Sequence, residues 1–180
     1  MALLLILIFL FLASIYLYNR LVSLKNQALE ALADIDVQLK RRYNLIPNLV
    51  ETVKGYASHE KEVFERVVKA RTKALEAKTF KEKEEAENFL SQSLKTIFAL
   101  SENYPQLRAS ENFQKLQDEL TDTEDKIQSA RRFYNSCVRD LNIALESFPT
   151  NLFAKIFNFQ KMELFSIAQP EEKETPEVKF

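Results

Sequence analysis

Glycine is almost absent from this chain: Gly55 is the only one in 180 residues. That excludes the glycine fingerprints of dinucleotide sites, P-loops and kinase loops. It also argues against an all-β fold, whose tight turns draw heavily on glycine. Cysteine is equally scarce. With Cys137 alone there is no intramolecular disulfide framework and no cysteine-rich zinc site. The one histidine, His59, cannot supply the two Glu-x-x-His pairs of a di-iron bundle, and Tyr56 stands three residues before it. The His-Glu-x-x-His zinc motif fails because position 63 is Val. No protein-built metal or cofactor site is expected. Charge is balanced, 25 Lys+Arg against 26 Asp+Glu, so the basic field that nucleic-acid binding needs is missing. What remains is an all-α chain.

What is present begins with a long apolar run. Residues 1–18 read MALLLILIFLFLASIYLY, and the first charge is Arg20. As a helix this run spans about 27 Å, close to the hydrocarbon thickness of a bilayer. Tyr16 and Tyr18 close it where amphipathic rings favour the headgroup level. A cleaved signal peptide would want a basic leader and a small-residue exit. No Lys or Arg precedes the run, and its end is bulky. The expectation is an uncleaved transmembrane anchor, residues 1–18, holding the chain in the lipid bilayer. Arg20 and Lys25 on its carboxyl side favour a cytoplasmic location for the rest of the chain.

Residues 19–168 read as one helical-bundle domain, and 169–180, with Pro170, Pro176 and several Glu, as a disordered tail. Leu21, Leu24, Ala28, Leu32, Ile35, Leu39, Ile46, Leu49 and Val53 recur at steps of three, four and seven, the stripe of an amphipathic helix. No turn signal separates this stripe from the anchor, so the two can be one helix. Pro47 should bend it and Gly55 should stop it. Ser58 is the expected N-cap of the next segment. Val63, Val67, Ala70, Ala74 and Ala77 carry that segment on, and Ala86, Phe89, Leu90, Leu94, Ile97 and Leu100 follow. Thr79 and Glu82 have the capping-box spacing, so the middle segment is one long helix or two broken near Thr79. Phe113, Leu120, Ile127, Tyr134, Leu141 and Phe148 then repeat every seven residues, with Leu116, Val138 and Leu145 at companion positions.

The fold class is therefore all-α. A transmembrane helix leads into an antiparallel up-and-down bundle of three long helices, four if the middle one breaks, plus a short C-terminal helix. Taken as three, the segments measure about 55, 65 and 60 Å. On that count Phe148 and a 14-residue helix starting at Leu152 lie tens of ångströms from the bilayer, out of its reach.

Chemistry-bearing residues are few. Cys137 beside Tyr134 and Leu141 reads as a buried, inert thiol rather than the partner of a His59 base. Lys40, Arg41 and Arg42 lie about 33 Å beyond Tyr18, too far for headgroups, and read as partners of bundle carboxylates. Arg42, seven residues after Ile35, should sit near the buried stripe. Glu124 and Arg131 interrupt the last seam, and Asn44, Asn48 and Glu51 surround Pro47. Such polar groups on inner faces fix register, and a partner site is the alternative reading. The Phe-rich segment after Pro149 either caps the end of the bundle or exposes Phe153, Phe157 and Phe159 to a partner protein.

Four stretches carry a family resemblance. Asp34 to Arg71 reads DIDVQLKRRYNLIPNLVETVKGYASHEKEVFERVVKAR, and Glu102 to Phe113 reads ENYPQLRASENF. Leu116 to Tyr134 reads LQDELTDTEDKIQSARRFY, and Phe148 to Phe159 reads FPTNLFAKIFNF. With the anchor, these closely resemble the LemA family over nearly the whole chain. The resemblance implies a single-pass bacterial envelope protein with an antiparallel helical bundle and a contextual link to membrane-protein quality control and envelope stress. It implies no catalytic residue. The expected role is thus a non-enzymatic scaffold or adaptor for another membrane or envelope protein. The alternatives are a homo-oligomer that organises the membrane, and an enzyme of unrecognised chemistry.

Overall fold

A computed structural model describes residues 1–165. Among them are six helices and no strand: α1 (Ala2–Lys54), α2 (Lys61–Glu76), α3 (Phe80–Ser101), α4 (Pro105–Arg108), α5 (Glu111–Glu146) and α6 (Thr150–Ile156). They form two compact units, Met1–Arg42 with Thr121–Leu164, and Tyr43–Leu120 with Phe165. Helices α1 and α5 contribute to both. The tail reading for 169–180, and the end of the 19–168 domain, lie outside the described residues.

In the first unit α1 changes character along its length. Leu3 through Leu12 are exposed on every side, and this apolar part of the helix is long enough to cross a membrane. From Leu21 onward one stripe is buried: Leu21, Ala28, Ala31, Ile35 and Leu39. Its partner is the seven-residue seam of α5, where Ile127, Tyr134, Val138, Leu141 and Leu145 are buried. The helices run antiparallel, since Arg42 pairs with Glu124 while Leu21 joins Leu141 and Leu145 in one core cluster. Arg42 is 1% exposed, as its spacing from Ile35 requires, and its guanidinium bonds the Glu124 carboxylate. Arg41 meets Asp122 at 3.4 Å on the surface. Phe148 departs from the expected seam: α5 ends at Glu146, two residues short of it, and Phe148 is 81% exposed.

In the second unit the middle segment is two helices. Thr79 Oγ1 accepts from the Glu82 N–H at 3.2 Å, and the Glu82 carboxylate accepts from the Thr79 N–H at 3.1 Å and the Lys78 N–H at 3.0 Å. Those donors hold the Glu82 carboxyl below its usual pKa, chiefly through the Thr79 N–H. The box opens α3, so α2 and α3 pack as a hairpin, with Arg66 over the Phe89 ring at 5.5 Å. Ser58 is not a cap: α2 starts at Lys61 behind Glu60, with no side-chain cap bond. Gly55 follows the end of α1 as expected, yet without the left-handed conformation that favours glycine.

Pro47 lies inside α1, and the helix continues through it. A proline has no N–H for the carbonyl four residues back, here that of Tyr43. Arg71 of α2 supplies the missing donor, its Nε–H reaching the Tyr43 oxygen at 2.8 Å. The Tyr43 hydroxyl in turn donates to Glu87 of α3, a carboxylate that is almost fully buried. One turn of α1 is thus pinned to both helices of the hairpin. Phe98 and Phe113 pack edge to face at 6.4 Å, and Phe80 packs on Phe165 at 4.2 Å.

Candidate functional site: an aromatic foot beside the apolar helix

The last two turns of α5 bring Leu141, Ala144 and Leu145 into one cluster with Leu21 of α1, and Ala154 of α6 completes it. Leu24, Phe153, Phe159 and Met162 pack around it. The C-terminal segment therefore stands where the apolar run of α1 ends. That corrects the expectation of a remote segment. The break at Thr79 adds one chain reversal, so α5 returns toward Leu21 instead of leaving it.

The chain is fixed there by three devices. First, α6 ends after seven residues, about two turns, rather than running 14. Asn158 adopts φ 53°, a left-handed conformation that asparagine tolerates. The Phe159 N–H then bonds the Ala154 carbonyl at 2.9 Å and the Asn158 N–H bonds that of Lys155 at 3.4 Å. This is the paired closure of a Schellman motif, and it reverses the chain. Second, the Asn142 amide grips the Met162 backbone twice. Its Nδ2 donates to the carbonyl at 3.0 Å, and its Oδ1 accepts from the N–H at 3.1 Å. Third, the buried Tyr134 hydroxyl donates to the Glu163 carbonyl at 2.9 Å. Burial raises the Tyr134 phenol pKa, which keeps that donor protonated.

The aromatic contacts face the end of the apolar run. Tyr18 packs against Phe157 with ring centroids 4.7 Å apart and ring planes tilted by 57°, and meets Phe159 at 6.1 Å. Lys25 Nζ lies 5.9 Å from the Phe159 centroid. The three phenylalanines singled out from sequence are thus brought together but not alike. Phe153 and Phe159 pack on the core cluster, whereas Phe157 is 52% exposed. Sequence reasoning missed the exposed Leu152 and Ile156, and it placed the exposed Phe148 on the seam. The available signal was that TNLFAKI is apolar on both of its faces, which a solvated surface helix is not.

The other candidates are ordinary. Cys137 is half-buried rather than fully enclosed, and desolvation raises its thiol pKa, which lowers its nucleophilicity at neutral pH. His59 is exposed in the turn before α2. No group of three or more metal-ligating side chains gathers among the described residues.

A fully exposed apolar helix continuous with a packed antiparallel helical domain, and closed by an aromatic foot, defines a membrane-associated helical protein. The particular family is given by comparison. The LemA family model matches residues 31–180, and the chain belongs to that family. It is 24% identical over 174 residues to magnetosome protein MamQ of Magnetospirillum gryphiswaldense, covering 82% of this chain and 64% of MamQ. Identity, length and both coverages are the same for MamQ 1 of Paramagnetospirillum magneticum. Protein LemA of Metamycoplasma hominis is 27% identical over 153 residues, covering 83% of this chain and 67% of that protein. The match therefore spans somewhat less than two thirds of the MamQ chains.

Proposed function

We propose that this chain is a single-pass scaffold or adaptor of the bacterial envelope, which acts by holding a second membrane or envelope protein and not by catalysis. The observation behind this reading is the continuity of α1. One helix, Ala2–Lys54, supplies first an exposed apolar span and then the buried stripe of the folded domain. A tethered enzyme needs only a flexible linker. A scaffold whose surface must keep a fixed orientation to the bilayer gains from a hydrogen-bonded one. The names of the MamQ relatives refer to a cellular structure and not to a reaction, in keeping with such a role. The family's contextual link to membrane-protein quality control and envelope stress suits an adaptor. The folded domain belongs on the cytoplasmic side by the count of Arg20 and Lys25. Labelling intact cells with an impermeant thiol reagent, using Asn103→Cys in a Cys137→Ala chain, tests that side.

Self-assembly is the second reading, because Val68 and Leu75 leave apolar, half-exposed positions seven residues apart on α2. A photo-crosslinking residue at Val68 or Leu75 in living cells separates the two. Reproducible adducts with one other membrane protein support the adaptor. Self-adducts alone favour assembly. A turnover in purified protein that Cys137→Ala or His59→Ala abolishes would replace both with an enzyme.

A further inference from the structure

The foot carries more apolar surface than its packing uses. Phe148 is 81% exposed, Ile156 74%, and Leu152 and Phe157 about half, while Ala154 and Thr150 on the other side of α6 are buried. A seven-residue helix that is apolar inward and outward leaves an apolar outer side that its own packing does not cover. The ring contact with Tyr18 says which. Tyr18 is the last aromatic of the exposed apolar run, and three residues later Leu21 is fully buried. The level of Tyr18 is therefore the level at which a spanning α1 leaves hydrocarbon for headgroups. Phe157 packs against it at that level. Arg20, Lys25 and Lys155 are exposed around the foot, and Lys161 is held by Glu146. Among the described residues there, Asp140 is paired with Arg139, and Glu163 is a further exposed acid. Among the described residues the balance is cationic, which suits lipid phosphates.

We propose that α6 and its flanks, through Phe148, Leu152, Ile156 and Phe157, form an interfacial foot that inserts into the headgroup–acyl boundary of the same bilayer that α1 spans. The occupant of this surface is lipid. Continuity with the membrane span and the cationic rim favour lipid over a second protein. The foot gives the domain a second point of membrane contact, so that the domain is held by more than the single helix. It lies in the boundary as interfacial helices do, about 5–10 Å deep.

The chain has no tryptophan, so a single introduced indole reports its own surroundings. The full chain is placed in nanodiscs of phosphatidylcholine and phosphatidylglycerol, one copy each, with bromine on the acyl chains. Four variants are compared: Ile156→Trp and Phe148→Trp in the foot, Leu10→Trp in the span, and Phe133→Trp on an exposed position of α5. Circular dichroism confirms the helical fold of each. The foot variants are expected to show blue-shifted emission and quenching, strongest with bromine near the carbonyl end of the chains. Leu10→Trp quenches most with bromine deep in the chains, and Phe133→Trp does not quench. Foot variants that quench no more than Phe133→Trp, with Leu10→Trp quenched, overturn the foot alone. An unquenched Leu10→Trp overturns the membrane span and the foot together.

Discussion

The pairing of Pro47 with Arg71 is open to a quantitative test. Proline in a helix interior costs about 3 kcal/mol, part of it the carbonyl left without its donor. Here that carbonyl belongs to Tyr43, and Arg71 Nε–H reaches it at 2.8 Å. Hydrogen bonds to charged groups contribute about 1.5–3 kcal/mol, and partial exposure of Arg71 places this one toward the lower end. Arg71→Met should therefore cost about 1–2 kcal/mol in the native background. In a Pro47→Ala background the new N–H donates to the Tyr43 carbonyl along the helix, and Arg71 becomes largely redundant. The same Arg71→Met change should then cost less by about 1 kcal/mol or more, a coupling that a double-mutant cycle reads directly. The assay is urea unfolding of the full chain in detergent, followed by circular dichroism, on all four members of the cycle. Additive changes, with no coupling beyond error, would refute the idea that Arg71 substitutes for the donor that Pro47 removed.

Other contacts carry their own tests. Asn158→Gly should be tolerated, whereas Asn158→Val should cost about 1–2 kcal/mol by forcing a β-branched residue into the left-handed region, which thermal melts will show. Ile127→Ala on the fully buried seam should cost about 2–5 kcal/mol, and a neutral result would mean the seam is not core. Thr79→Ala should cost about 1 kcal/mol by opening the cap of α3. Because the folded Glu82 pKa is lowered, its contribution is full above its ordinary value and disappears as pH falls through the lowered one. Acid titration of stability should accordingly be shallower in Glu82→Gln than in the native chain.

Periodicity revealed most of the helices because burial of one stripe is a local property of each segment. The α1 stripe and the α5 seam could be read residue by residue, and Thr79–Glu82 announced the break between α2 and α3. What the spacing could not decide was the count of reversals. One capping box separates a bundle that sends Phe148 away from Leu21 from one that returns it. The Phe-rich foot was legible as unusual, yet its place depended on that count. Arg71 was unreadable as a partner of Pro47 because the two are 24 positions apart and meet only when α2 packs on α1. The Asn158 closure was in principle legible, since asparagine followed by an aromatic residue suits a helix stop. The run from Phe153 to Phe159 concealed it by reading as a continuous apolar helix.

The chain returns to the end of the exposed apolar run of α1, so that α6 stands beside Tyr18. Spin labels at Asn19→Cys and Ile156→Cys, in a Cys137→Ala chain held in nanodiscs, test it directly. The contact of Tyr18 with Phe157 and the core cluster shared by Leu21 and Ala154 require the pair to be close, and its spectrum should show strong dipolar broadening absent from either single label. A spectrum equal to the sum of the single labels would contradict the account. It would return α6 to the far end of the helices, at least about 35 Å along α1 from Tyr18.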